Sequence, residues 1–511
     1  MAHPARPDLM IGVHALTISD VVSVARGGRR AALADEARVQ VAAGHELITR
    51  AIDEGRAVYG VTTGFGSRSG TIVPAEERLA MQPRILRSHA AGVGAALPDD
   101  AVRAALLLRA NMLAHGHSGV RETVIEQLLA LLNDGLLPVV PSQGSVGASG
   151  DLAPLAHLSL PLIGEWYVRT SLGVVGASEA LAAAGLQPLQ LEPKEASSLT
   201  NGTEITLALA VLACEDSTIL LDSAEVAAAM SFEAMEGHEA AFREEIQLLR
   251  PHPGQIAIAH RMRQLLARGH DQPRGVGRRS VHDSYSLRCI PQVLGPVRQA
   301  LDHTRTTVEI EVNSVTDNPL CLTDTDEIVS AGNFHGHPLA QVCDYLKLAI
   351  ASVGTFAERR IASLLDSRIT GLPDLLTPKP EANSGFMLLQ YVAASLASEN
   401  KVLAHPSSVD SITTAAGAED YNSMSATAAR HLGQIVDNVL RIIAIEMVCA
   451  AQALDLREGR AWGRGPAAAH RSLREVVPFL ESDDTILSEV VDRAEAMIRG
   501  GLAREVFDAI A

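Results

Sequence analysis

Three small residues, Ala148-Ser149-Gly150, sit at the centre of the stretch running from Gly144 to His157. Their side chains leave the backbone free to bend, and Gly150 has nothing to shield its amide nitrogen from a neighbouring carbonyl. Attack of the Gly150 nitrogen on the Ala148 carbonyl, with loss of two waters, would close a five-membered ring and turn Ser149 into an exocyclic alkene. That alkene is an electrophile, which no ordinary side chain supplies. Small-residue loops are also turns or anion-binding nests. A phosphate loop is disfavoured because no Gly-Lys-Ser/Thr follows, and Gly147-Ala-Ser149-Gly-Asp does not match the Gly-x-Ser-x-Gly of a hydrolase elbow. Composition alone leaves the turn and the cyclised loop both open.

The run Gly147 to His157 closely resembles the signature of the aromatic amino acid ammonia-lyases and aminomutases, which form a methylidene-imidazolone (MIO) group from Ala-Ser-Gly. The likeness continues, in chain order, through Tyr59-Gly-Val-Thr-Thr-Gly-Phe-Gly66, Arg87-Ser-His-Ala-Ala-Gly-Val-Gly94, Asn201-Gly-Thr203, Tyr285-Ser-Leu-Arg288, Asn313-Ser-Val-Thr-Asp-Asn-Pro319, Gly332-Asn-Phe-His335 and Asn383-Ser-Gly-Phe-Met387. The resemblance implies a mainly α fold, a long-helix bundle of the fumarase/aspartase-like type with a smaller mixed N-terminal region. It also implies a homotetramer with shared active sites, and an MIO formed autocatalytically from Ala148, Ser149 and Gly150, with no metal or dissociable cofactor. On this reading residues 1–200 carry the Tyr59 and MIO loops, and 201–511 the long-helix bundle and a C-terminal helical region, in one integrated unit.

An ammonia-lyase must break a C–N bond while a weakly acidic β-proton is removed. An alkene that accepts the substrate amine makes nitrogen a leaving group, and a base must take the proton. By resemblance Tyr59 is that base, which requires the protein to stabilise a phenolate, since tyrosine ordinarily titrates near pH 10. Tyr285 matches a second tyrosine that assists proton movement or orientation. Arg288 is suited to the substrate carboxylate, because its planar fork can bind two oxygens at once. Tyr285 and Arg288, three apart, would share a face if their segment is helical. Asn201 matches an asparagine close to the ring and substrate, and Phe334 an aromatic that packs near it.

Two positions lean towards histidine as substrate. Ser88-His89 matches the Ser-His pair of histidine ammonia-lyases, where phenylalanine-selective relatives usually carry Phe-Leu and many tyrosine-selective ones His-Leu. Glu419 matches the glutamate that contacts imidazole, and a carboxylate suits a ring with an N–H donor better than a bare phenyl. The implied reaction is L-histidine to urocanate. Tyrosine or phenylalanine ammonia-lyase, ergothioneine trimethylamine-lyase and 2,3-aminomutase are the alternatives. Several departures bear on this choice: Ser197 and Ser198 make the neighbourhood of the ring more polar, His282 replaces a common glutamine among the substrate contacts, Thr62 stands where asparagine is usual, and Tyr421-Asn422 replaces His-Val.

Composition fits a soluble enzyme. Of 511 residues, 47% are hydrophobic but only 3% aromatic, so the core must be mostly Ala, Leu, Val and Ile, as in packed helices. A formal net charge of −17 argues against nucleic acid or an anionic membrane as partner. The five cysteines are scattered without close pairs, which suggests neither a zinc site nor a disulfide framework. The stretch from Met1 to Pro7 lacks the apolar core of a signal peptide, and no apolar run approaches a membrane span. A cytoplasmic location is expected.

These residues must be positioned by helices. Ser19-Asp20 reads as an N-cap for a helix extending towards residue 55. Glycines at 60, 64, 66 and 70 give the Tyr59 loop the character of a lid or of an ordinary surface loop. Ala101 to Asn133 reads as a helix pair broken at Gly116-His-Ser-Gly119, and helix starts beside the reactive loop could polarise it through their unpaired amides. A strand-like stretch lies at Trp166 to Val175. Thr203–Met230, Leu287–Asn313, Leu339–Asp366, Gly385–Leu403 and Asn422–Leu456 show three- and four-residue apolar recurrence and predict long buried helices.

Overall fold

A computed structural model describes residues 7–64, 70–268, 282–457 and 461–511. The chain forms two compact units. One comprises Met1–Glu215, Arg305–Asp344 and Pro406–Arg430, the other Asp216–Thr304, Tyr345–His405 and His431–Ala511. Twenty α-helices dominate the described residues, and their strands are only two to four residues long.

In the first unit, helix Ile18–Ala25 is capped by Thr17, not by Ser19-Asp20. Asp20 instead reaches back from the third helical position, its backbone N–H donating to the Thr17 hydroxyl (3.1 Å) while its carboxylate accepts from the Thr17 N–H (3.1 Å). The helix ends early, because residues 31–33 are drawn into a parallel strand pair with Leu9–Ile11 before helix Asp35–Asp53 begins. The pair expected over 101–133 is present as Asp99–Ala114 and Glu122–Asn133. Between them Gly116 and Gly119 take φ of 78° and 69°, and a Cβ on Gly44 of helix Asp35–Asp53 would lie 1.9 Å from the Gly116 carbonyl oxygen. Only glycine fits that crossing. Helix Asp99–Ala114 is buried almost all round, in keeping with its Ala/Leu-rich sequence, and buries Arg109 and Asn111 as well.

The reactive loop leaves strand Pro141–Gln143, which pairs antiparallel with Val93–Ala96, and enters helix Ala153–Ser159. A helix therefore starts beside Ser149, as the sequence suggested. The strand-like stretch is a hairpin, Tyr167–Thr170 against Gly173–Gly176.

The five apolar segments are the helices Glu204–Ala234, Ile290–Val312, His337–Leu365, Met387–Leu403 and Ser425–Asp455. Within the second unit, the fully buried Arg360 grips Glu446 with two bonds of 2.6 and 2.7 Å, and Ser231 donates to the same carboxylate at 2.6 Å. A buried charge is tolerable only when it is paired with an opposite one, as here. Helices Pro253–Leu265 and Ile290–Val312 touch backbone to backbone where Gly254 faces Gly295. No helix among the described residues is long and apolar enough to cross a membrane.

Candidate active site

The loop 144–152 is fixed from both sides. Asp151, fully buried, accepts from the Ser145 hydroxyl (3.1 Å), the Thr206 hydroxyl (2.6 Å) and the Thr206 N–H (2.8 Å), while its own N–H donates to the Gly202 carbonyl at 2.6 Å. Burial pushes its carboxyl above the usual range, and the hydrogen bonds from Thr206 and Ser145 oppose that rise. On the other side the Ser423 hydroxyl (2.8 Å) and the Gly336 N–H (3.3 Å) donate to the Gly147 carbonyl, and the Met424 N–H donates to that of Val146 (2.9 Å). Gly150 has φ of 78°, and a Cβ there would sit 2.0 Å from the Gly202 carbonyl oxygen. The Gly of Ala148-Ser149-Gly150 is therefore required by its backbone conformation and by its neighbour, apart from any chemistry.

Ser149 and Ala148 open onto a cavity of about 740 Å³, lined also by Tyr59, Phe334, Glu419, Asn318, His335 and Tyr421. Segments near residues 58, 149, 318, 334 and 419 thus meet in one place. The Ser149 hydroxyl donates to Glu419 Oε1 at 3.1 Å, and the Thr414 hydroxyl donates to Glu419 Oε2 at 2.7 Å. Tyr59 is half-buried at the start of a tight turn in which the N–H groups of Val61, Thr62 and Thr63 all point at the Val58 carbonyl (3.0–3.2 Å). Thr62 plugs that turn: its hydroxyl accepts from the Val58 N–H and donates to the Arg56 carbonyl, both at 2.7 Å. The Tyr421 ring lies parallel to that of His335, 5.9 Å between centres at 16°, with His337 edge-on at 5.6 Å. Among the described residues, the lining contains no lysine or arginine.

Below the cavity a buried network holds residues 316–318. Asn201 donates to the Asn318 carbonyl (3.1 Å), and the Asn318 side-chain oxygen accepts from the Ala331 N–H (2.8 Å) and the Ser330 hydroxyl (3.1 Å). Lys194, fully buried, pairs with Asp317 at 2.7 Å and donates to Ser198 at 2.6 Å. Ser198, whose hydroxyl donates on to the Ser118 carbonyl (3.1 Å), therefore orients a lysine and does not face the cavity. Glu204 accepts from Thr316 (2.8 Å) and pairs with Arg109 (2.7 Å). Its carboxyl is raised by burial, against the pull of Arg109.

Other candidates lie elsewhere. His89 ends helix Ala75–His89 with Nδ1 2.8 Å from the Ile85 carbonyl, so Nδ1 carries a proton there; it is not among the cavity's lining residues. Ser197 bonds the Lys194 carbonyl at 2.8 Å. Tyr285, Arg288 and the exposed His282 belong to the second unit. Tyr285 and Arg288 do share a helical face, the guanidinium standing 4.8 Å from the centre of the tyrosine ring. Tyr285 is 70% exposed, and the buried Nε of Arg288 has no partner among the described residues. Phe65 and Gly66 of the Tyr59 loop lie outside the described residues. Sequence reasoning missed Asn318, His335, Ser330 and Thr414. The first two stand inside motifs already singled out, whereas nothing local marks Ser330 or Thr414.

The chain matches the model of the aromatic amino acid lyases over residues 16–475. It belongs to the aromatic amino acid lyase family. It is 47% identical to the histidine ammonia-lyase of Symbiobacterium thermophilum over 496 residues, 97% of each chain. Among solved structures, the histidine ammonia-lyase of Trypanosoma cruzi superposes with a TM-score of 0.91 at 34% identity, covering 99% of this chain and 96% of that one. The tyrosine aminomutase of Streptomyces globisporus does so with the same score of 0.91 at 33% identity, covering 98% and 99%. The lyase thus has the mainly α fold that the resemblance implied. It is a carbon–nitrogen lyase acting on a small-molecule amino acid.

Proposed function

We propose that this lyase is a histidine ammonia-lyase, converting L-histidine to urocanate and ammonia in the cytoplasm as a homotetramer. Identity of 47% with a histidine ammonia-lyase over nearly the whole chain supports the substrate class. The observation that carries the choice of histidine is the Glu419 carboxylate, 3.1 Å from Ser149 on the wall of the cavity. A carboxylate there offers the imidazole N–H an acceptor, and offers a phenyl ring only a desolvated charge. Exposed Leu388, Tyr391, Val392 and Val402 on helix Met387–Leu403 are apolar surface that assembly would cover, which supports the tetramer. All five cysteines are free, in keeping with a reducing compartment.

The residues fit an MIO group. Ala148 and Ser149 face the cavity, the third position tolerates nothing larger than glycine, and the loop is anchored on both sides through Val146, Gly147 and Asp151. When present, the group supplies an electrophile that makes the amino nitrogen a leaving group. The protein's own residues do the rest. Tyr59 takes the β-proton from its place on the cavity wall, Phe334 packs against the substrate ring, and Glu419 orients the imidazole. Asn201 keeps Asn318 in place through the Asn318 carbonyl. The motif carries the assignment of Arg288 to the substrate carboxylate and of Tyr285 to proton movement, with His89 and His282 as further substrate contacts.

Glu419→Gln tests the reading, because it keeps size and hydrogen bonding while removing charge. A charged hydrogen bond in a desolvated pocket is worth about 1.5–3 kcal/mol, so the ratio of kcat/KM for histidine over tyrosine or phenylalanine should fall about ten- to a hundredfold. An unchanged ratio removes Glu419 from substrate recognition.

A further inference from the structure

Two residues that do not face the substrate determine which way Glu419 points. Asn422 is completely buried, and its amide nitrogen Nδ2 donates to the Ile412 carbonyl and, at 3.2 Å, to the Thr414 hydroxyl oxygen. A backbone carbonyl can only accept, so the contact with Ile412 fixes which end of the Asn422 amide is the nitrogen. The Thr414 oxygen is then an acceptor towards Asn422, and its single proton is directed at Glu419 Oε2, 2.7 Å away. The backbones of Thr414 and Glu419 are bonded to each other as well, the Thr414 N–H donating to the Glu419 carbonyl at 2.9 Å.

We infer that Thr414, oriented by Asn422, is a specificity-determining positioning residue: it holds Oε2 of Glu419 so that Oε1 alone is presented to the substrate's ring. Oε1 now accepts from the Ser149 hydroxyl at 3.1 Å. That hydroxyl is the group lost when Ala148-Ser149-Gly150 cyclises, and Oε1 is then open to an N–H donor of similar reach. Without the Thr414 hydroxyl the carboxylate could rotate or bind water through either oxygen, and an imidazole would meet a less directed acceptor. The backbone at Thr414 is extended (φ −126°, ψ −177°), which a β-branched valine adopts equally well. Thr414→Val therefore removes the hydroxyl while keeping the shape.

The inference rests on Glu419 recognising the substrate ring, so four enzymes are compared with wild type: Thr414→Val, Thr414→Ser, Glu419→Gln and the double variant Thr414→Val/Glu419→Gln. For each, kcat and KM are measured with histidine and with whichever of tyrosine and phenylalanine is turned over faster, together with competitive inhibition by urocanate and by cinnamate. Thr414→Val should lower the histidine preference, and the urocanate-over-cinnamate preference, about tenfold. Thr414→Ser should restore most of it, and Thr414→Val should add little once Glu419 is already glutamine, because the hydroxyl acts through the carboxylate. If Glu419→Gln shifts the preference but Thr414→Val lowers turnover of all substrates alike, or adds in full to Glu419→Gln, the positioning role is wrong and the substrate reading stands. If Glu419→Gln leaves both preferences unchanged, the two fall together.

Discussion

At the scale of single residues, the proposed mechanism separates groups that touch the substrate from groups that only hold the backbone. Tyr59 belongs to the first kind. Tyr59→Phe keeps the ring and removes the proton acceptor, so kcat should fall about a hundredfold or more while KM changes little. A rise in KM alone would make Tyr59 a binding residue. His157 belongs to the second kind. Its Nε2 accepts the Gly92 N–H at 3.1 Å, which only a neutral ring can do, and burial lowers the pKa of both His157 and His115. The folded values lie below the unfolded one of about 6.5, so the unfolded chain takes up protons first. Stability from these residues is complete above that pH and is lost as pH falls through the window beneath it. Denaturant unfolding between pH 7.5 and 5 should show this decline, and His157→Gln should flatten it; an equal slope in the variant would exclude His157. The candidates that line the cavity, Tyr59, Ser149, Phe334 and Glu419, were legible because they stand in motifs. Thr414 was not, since its role depends on the fold bringing it against Glu419, and its own neighbours in sequence say nothing of charge or catalysis.

Among the elements, close glycine contacts decide which helices can pack. A Cβ on Gly254 would lie 2.2 Å from the Gly295 carbonyl oxygen and 2.7 Å from its carbon. Backbone atoms cannot step aside as a side-chain tip can. Gly254→Ala should therefore cost about 1–3 kcal/mol in denaturant unfolding, despite alanine's better helix propensity. A variant as stable as wild type would show that this contact is loose. The long helices were legible because apolar residues recur at three and four over several turns. Their ends were less so: Thr17 takes the cap that Ser19-Asp20 suggested, since the first turn starts two residues earlier and leaves Asp20 to complete the box. The parallel pair Leu9–Ile11 with Ala31–Leu33 was not read at all, because three-residue strands carry no period and exist through their partners.

At the scale of the molecule, residues far apart in the chain form one site: Tyr59, Ser149, Asn318, Phe334 and Glu419 all line the same cavity within a unit built from three separate segments. That assembly could be anticipated only through resemblance, since periodicity reports which face of a helix is buried and not what it meets. The fold does not choose the substrate, as a histidine ammonia-lyase and a tyrosine aminomutase superpose on it equally well. Chemistry has to decide. The most direct measurement is to incubate the purified lyase with L-histidine, L-tyrosine and L-phenylalanine separately, quantify ammonia and the organic product, and repeat with Ser149→Ala. Histidine should give urocanate and ammonia in equal amounts with the highest kcat/KM of the three, and the folded Ser149→Ala protein should give almost none. An enzyme inert towards histidine but active on tyrosine or phenylalanine, or a Ser149→Ala variant as active as wild type, would contradict the account.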